Sequence, residues 1–191
     1  MNNIACIERK SIPHQFLAKF IAIKTNTDTI NNLFDNITFK EKNFIENNEN
    51  FKQPIPYIVL TNKQNKIAIY QRNGSEKRLN NYWSIGFGGH IEPSDFSENN
   101  FLETLLNCAK REIFEELKIH LPDTIQFRGI INEEITPVGR THIGFVFQTT
   151  INTIDTLKYS GEIKNLKFTT SNEIRSKNLE LWSELTLKLI N

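Results

Sequence analysis

Glu112, Glu115 and Glu116 lie within five positions of each other, in the run KREIFEELKI. On a helix, residues three and four apart share a face, so the three carboxylates project together. Carboxylate oxygens gathered in this way suit a hard divalent cation such as Mg²⁺ or Mn²⁺. Ahead of them stands GGHIEPSD, opening with Gly88 and Gly89. Two glycines let a backbone carbonyl and a phosphate approach one ion closely, because no Cβ stands in the way. Taken alone, an acidic helix face is most often just solvated; the glycine turn beside it makes a metal site worth pursuing.

The helix that must carry these residues is expected over about 97–117. Leu102, Leu106, Ala109, Ile113 and Leu117 form its apolar stripe, and Arg111 sits four before Glu115 to offset part of the like-charge repulsion. Upstream, YIVLT and KIAIYQR read as a hairpin around NKQN, and WSIGFG as a short strand ending in the glycine turn. Downstream, FRGIINEEIT and HIGFVFQTTI are strand candidates separated by a Pro137-Val138-Gly139 turn. Thr170 with Glu173 forms a capping box opening a final helical region that includes LELWSELTLKLI. Before Pro54 the signals are weaker. FLAKFIAIK fits a buried strand or a short helix equally, TDTINNLFDN fits a helix, and EKNFIENNENFKQP reads as a connecting loop. Interleaved strands and helices give an α/β layered fold. One domain over 1–191 is expected, with 1–53 elaborating a core at 54–191.

The chain has 191 residues, 38% of them hydrophobic, which is enough for a core. With 23 basic and 22 acidic residues, nothing points to nucleic acid or a membrane as the main partner. Cys6 and Cys108 read as reduced thiols, and the N-terminus lacks an apolar leader, so a cytoplasmic protein is expected.

The box itself resembles the signature of the Nudix hydrolases, G-x5-E-x7-R-E-U-x-E-E-x-G-U, where U is a bulky aliphatic residue. REIFEELKI matches its second half, except that Lys118 stands where the family has glycine. Glu103 lies at the x7 spacing before Arg111, but Ser97 then occupies the first glycine's place. Counted from Gly89, the first acid is Asp95, with an insertion before the helix. We prefer that register, which leaves Arg111 a choice of partner, Asp95 or Glu103. INEEITPVGRTHIGFVF also resembles the corresponding part of one Nudix subgroup.

The resemblance implies an α/β/α sandwich with a mixed sheet. It implies divalent metal on Glu112, Glu115, Glu116 and the Gly89 carbonyl, with Arg111 supporting them and Gly88 admitting substrate. A further acid from outside the box is expected as ligand or general base: Glu133 or Glu134, with the later residue favoured. Arg72, Lys77 and Arg78 are placed to meet phosphates, and Glu92 to stabilise the turn. His90 and His142 read first as structural, with phosphate donation as the alternative. Cys108 reads as a neutral, partly buried side chain. The implied activity is hydrolysis of a nucleoside diphosphate linked to another moiety, a small-molecule nucleotide being the partner and a homodimer an open assembly. The competing readings are a nucleotide-sensing module without turnover and an isopentenyl-diphosphate isomerase-type enzyme. The latter would require Cys108 to be an active thiol.

Overall fold

The computed structural model describes residues 2–33, 36–73, 80–98, 100–152 and 159–190. In chain order the elements are β1 (Asn3–Glu8), β2 (Phe20–Ile23), α1 (Thr27–Leu33), β3 (Thr38–Glu41), α2 (Lys42–Ile45), β4 (Phe51–Thr61) and β5 (Ile67–Arg72). There follow β6 (Trp83–Ser84), β7 (Gly86–Phe87), α3 (Phe101–Leu117), β8 (Gln126–Glu133) and α4 (Pro137–Thr141). Last come β9 (His142–Thr150), β10 (Ile163–Thr169), α5 (Ser171–Arg175) and α6 (Leu181–Ile190). The strands join in one mixed sheet with the central order β10-β5-β4-β9-β8-β2. β4 and β9 run parallel from Gln53↔His142 to Thr61↔Thr150, whereas β8 and β9 are antiparallel.

The parallel pair lies at the centre of the sheet, and its strands read accordingly. β4 is buried over all but its first residue, as a strand covered on both faces must be. One core fills the α3 face, with Leu105, Ile113 and Leu117 meeting Ile58, Phe87 and Phe145. The other fills the α6 face, where Leu185, Leu187 and Leu189 meet Val59, Ile69 and Val146. Helices on both faces of a mixed sheet make the α/β/α sandwich expected from the resemblance.

The first third of the chain departs from its sequence reading in one place and settles an open alternative in another. EKNFIENNENFKQP is not a loop: it spans the end of β3, all of α2 and the start of β4. Pro54 and Pro56 disguise the strand, since proline cannot donate to a ladder. They are tolerated because that edge of β4 is paired only at its ends, by β1 through Lys52↔Ile7 and by β7 through Ile58↔Phe87. FLAKFIAIK resolves to a strand, β2, which pairs with β8 in the register Phe20↔Glu133 to Ile23↔Ile130. Phe34, expected on the helical spacing of α1, lies outside the described residues.

Candidate active site

α3 begins at Phe101, four residues later than its pattern suggests, because the Asn100 side chain accepts a hydrogen bond from the Glu103 N–H at 2.9 Å. Its buried face is Phe101, Leu105, Cys108, Ala109, Ile113 and Leu117, so the expected stripe is rotated near the N-terminus and Leu102 and Leu106 lie on its flanks. The helix stops at Lys118, which takes the left-handed conformation (φ 58°, ψ 34°) that a C-terminal glycine would supply.

Of the three glutamates, Glu115 is the exposed one and Glu112 is largely covered. Glu116 is more deeply placed, and its Oε2 is buried without a hydrogen-bond partner. Burial raises its carboxyl to about 8, and the neighbouring Glu112 charge pushes in the same direction. Burial raises Glu112 as well.

Arg111 ties the cluster to the glycine turn. Its Nε donates to Asp95 Oδ1 at 3.0 Å and its Nη2 to Asp95 Oδ2 at 2.8 Å, a two-pronged pairing. Nη2 also donates to the His90 carbonyl at 2.8 Å, and Nη1 to Glu112 Oε1 at 2.7 Å. Asp95, at the end of a 3-10 turn, is thus the partner of Arg111. Glu103 instead accepts from the Ser97 hydroxyl at 2.7 Å. The register counted from Gly89 is the one that brings an acid to Arg111.

The turn packs too tightly for any side chain. A Cβ on Gly88 would stand 1.9 Å from the Pro56 carbonyl oxygen, and one on Gly89 2.4 Å from the Glu112 carboxyl. The turn fits into the stretch of β4 edge that Pro54 and Pro56 leave unladdered. From the N-terminal strand, the Ala5 N–H donates to the Ile91 carbonyl at 2.9 Å and fixes the turn from its far side.

Two cavities meet at these glycines, both bordered by Arg72, Gly88, Gly89, His90 and His142. The wider, about 640 Å³, is polar and contains the faces of Glu112, Glu115 and Glu116. The narrower, about 170 Å³, is walled by Ile55, Tyr57, Leu181 and Trp182. At the junction His90 and His142 face each other, their Nε2 atoms 3.2 Å apart. His142 Nδ1 lies 2.8 Å from the Val138 carbonyl, which can only accept, so that nitrogen carries the proton. The two Nε2 atoms therefore share one N–H between them, one ring donating to the other. Burial, followed by His142 and Lys42, lowers His90 to about 3.

The remaining candidates separate sharply. Arg72 borders both cavities and reaches Glu180 at 3.6 Å. Lys77 and Arg78 lie outside the described residues. Glu134 does not look toward the glutamate helix, contrary to expectation. Its carboxylate is taken by Arg9 at 2.5 Å, Lys52 at 2.7 Å and the Asn132 amide at 2.9 Å. Glu133 borders the narrow cavity, but its oxygens accept from the Ile135 and Thr136 N–H groups at 2.6 and 2.8 Å, holding the start of α4. Neither acid has an oxygen turned to the wide cavity. Cys108 is fully buried, burial drives its thiol far up, and its Sγ lies 3.5 Å from the His90 carbonyl. Glu92 borders the wide cavity, and its N–H donates to Asp95 Oδ2 at 2.9 Å, within the turn.

Three residues at the site carry no motif that sequence reading could have used. Glu162 borders the wide cavity where the Ser160 N–H bonds the Glu116 carbonyl at 3.0 Å. Lys42 comes from α2, and Glu180 joins Tyr57, Ser84 and Ser183 in a buried hydrogen-bonded group.

Among the described residues, no three acidic, histidine or cysteine groups are gathered closely enough to hold a cation as they stand. Arg111 draws Glu112 aside in part. The donor set nevertheless fits a hard divalent ion: the orphaned Glu116 oxygen, the carboxylates of Glu112 and Glu115, and a glycine turn abutting Glu112.

Among known proteins, the NUDIX domain model matches residues 52–189. Protein YmaB of Bacillus subtilis (strain 168) is 39% identical over 105 residues, 53% of this chain and 50% of that protein, so the match spans about half its length. Tm1382, a candidate Nudix hydrolase, superposes with a TM-score of 0.80 at 24% identity, over 98% of this chain and 97% of its own. The NUDIX domain of Shewanella oneidensis NrtR, complexed with ADP ribose, gives a TM-score of 0.54 at 13% identity over 72% and 85%. The MutT protein of Methanosarcina mazei Go1 gives 0.56 at 18% identity over 72% and 92%. A family model spanning most of the chain, on a fold with helices closing both sheet faces, leads to one conclusion: the chain belongs to the NUDIX family.

Proposed function

We propose that this chain is a divalent-metal-dependent pyrophosphohydrolase that cleaves the diphosphate of a nucleoside diphosphate linked to another moiety. The observation that carries the reading is Glu116: a buried carboxylate oxygen with no partner, beside Glu112 and Glu115 at a glycine turn. Such an atom is costly unless something positive meets it. Glu112, Glu115, Glu116 and the Gly89 carbonyl would hold Mg²⁺ or Mn²⁺, which neutralises the diphosphate and acts as a Lewis acid.

The chain's own groups do the rest. Arg111, held by Asp95, orients Glu112 and the turn rather than touching substrate. Arg72, at the junction of the cavities, meets a phosphate oxygen. The narrow cavity takes a compact, mostly apolar group and excludes water from that side. Glu133 and Glu134 are both occupied structurally, so we assign the proton acceptor to Glu162, an exposed acid at the wide cavity with no ion pair among the described residues. A carboxylate must reach the attacking water directly or through one more water.

The test is a panel of nucleotide sugars, dinucleoside polyphosphates, ADP-ribose and nucleoside triphosphates with Mg²⁺ or Mn²⁺, scored for released phosphate groups. Turnover that disappears in Glu116→Gln supports hydrolysis. Tight binding of a panel member without turnover would instead favour the sensing module, a reading consistent with a likeness to a NUDIX domain that binds ADP ribose. The isomerase reading loses its support, because the Cys108 thiol is buried and held protonated.

A further inference from the structure

The wide cavity is not built by the α3 face alone. Asn2, Ile4, Lys42, Glu46 and Asn47 form one wall of it, and all five precede the stretch matched by the family model. None of them borders the narrow cavity, so the N-terminal segment meets only the polar end of the site. This wall is fastened to the site by backbone. The β1–β3 ladder runs from Asn3↔Glu41 to Cys6↔Thr38, the Lys42 N–H donates to the Asn2 carbonyl at 2.9 Å, and the Ala5 N–H holds Ile91.

The cations of the wide cavity are differently engaged. Arg111 is spent on Asp95, Glu112 and the His90 carbonyl. Arg72 lies against Glu180. Lys42 is half-buried and makes no ion pair among the described residues, although six acids line the same cavity. An ammonium held without a carboxylate partner, beside carboxylates that a divalent cation would occupy, is a ready point charge for phosphate.

We infer that Lys42, supplied by the N-terminal segment, is a substrate-binding residue that takes an oxygen of the phosphate farther from the narrow cavity. This rests on the diphosphate reading of the site and deepens it. The compact group of the substrate sits among Tyr57, Leu181 and Trp182, the diphosphate spans the glycines, and the distal phosphate ends at Lys42.

Calorimetry with inorganic pyrophosphate and Mg²⁺ on the full chain decides it. Lys42→Ala is expected to weaken pyrophosphate about tenfold, on the scale of one charge-assisted hydrogen bond. Lys42→Arg should restore most of that loss. Mg²⁺ binding alone and the melting temperature should stay as in wild type. Equal pyrophosphate affinity in wild type and Lys42→Ala overturns the inference while leaving the diphosphate reading intact. A wild type that takes no pyrophosphate with Mg²⁺ overturns that reading and this one with it. If Lys42→Ala melts early, Lys42→Met keeps the aliphatic stem and the same comparison applies.

Discussion

At Glu116 the fold holds a carboxylate whose burial and charged neighbour both oppose ionisation. Glu116→Gln removes that burden without changing shape, so the metal-free protein should melt no lower than wild type. Mg²⁺ affinity and turnover should both fall, by about tenfold or more in affinity; near-full activity in that variant would sink the assignment. Lys118 holds the converse kind of strain, a side chain in a left-handed position. Lys118→Gly should stabilise the chain by about 1 kcal/mol in urea denaturation. His90 gives the pH dependence. Its folded value, about 3, lies below an unfolded value near 6.5, so the folded state binds fewer protons between them. Stability is therefore complete above about pH 6.5 and declines as pH falls toward 3, and His90→Gln should flatten that decline. Legibility at this scale followed spacing. The three glutamates could be read because helical periodicity is local. The choice between Asp95 and Glu103 could not, because it turns on how an inserted loop folds back. Lys42 was invisible, lying about seventy residues before the first of the three glutamates in sequence.

Elements show where alternation alone misleads. Strand geometry separates Glu133 from Glu134 onto opposite sides, as expected, but says nothing of what waits on each side. On one side are Arg9 and the fully buried Lys52; on the other, the backbone leading into α4. Glu134→Ala should thus act on stability, costing about 3 kcal/mol by stranding a buried ammonium. The kcat of the folded fraction should be little changed. Comparable melting of the variant and wild type would refute this. Burial pushes the Glu134 carboxyl up, but Lys52, Asn132 and Arg9 together outweigh it and hold the carboxyl below its ordinary value, so its contribution is present at neutral pH and is lost as pH falls through that lowered value. The strands before Pro54 were poorly legible for a related reason. Pro54 and Pro56 advertise a break, yet they sit where β4 needs no donors. The α3 stripe and the hairpin around β5 were readable because their partners lie close in the pattern.

At the scale of the whole molecule, the N-terminal segment pairs with β4 and β8 and buries Ile4, Ile7, Phe16 and Ile30. We propose that residues 1–191 unfold as one unit. Limited proteolysis should then leave the segment before Pro54 intact under native conditions, and its removal should lower the melting temperature. Rapid trimming without such loss would refute it. No helix among the described residues is long and apolar enough to cross a membrane. The pairing of β2 with β8 has a further consequence during synthesis. Phe20 leaves the ribosome more than a hundred residues ahead of its ladder partner Glu133. At about 5–20 residues per second that is a wait on the order of ten seconds. Throughout it the nascent chain carries an apolar strand with no edge to join. Such a chain depends on chaperones holding its first strands, and its yield should fall when translation of the middle third is slowed.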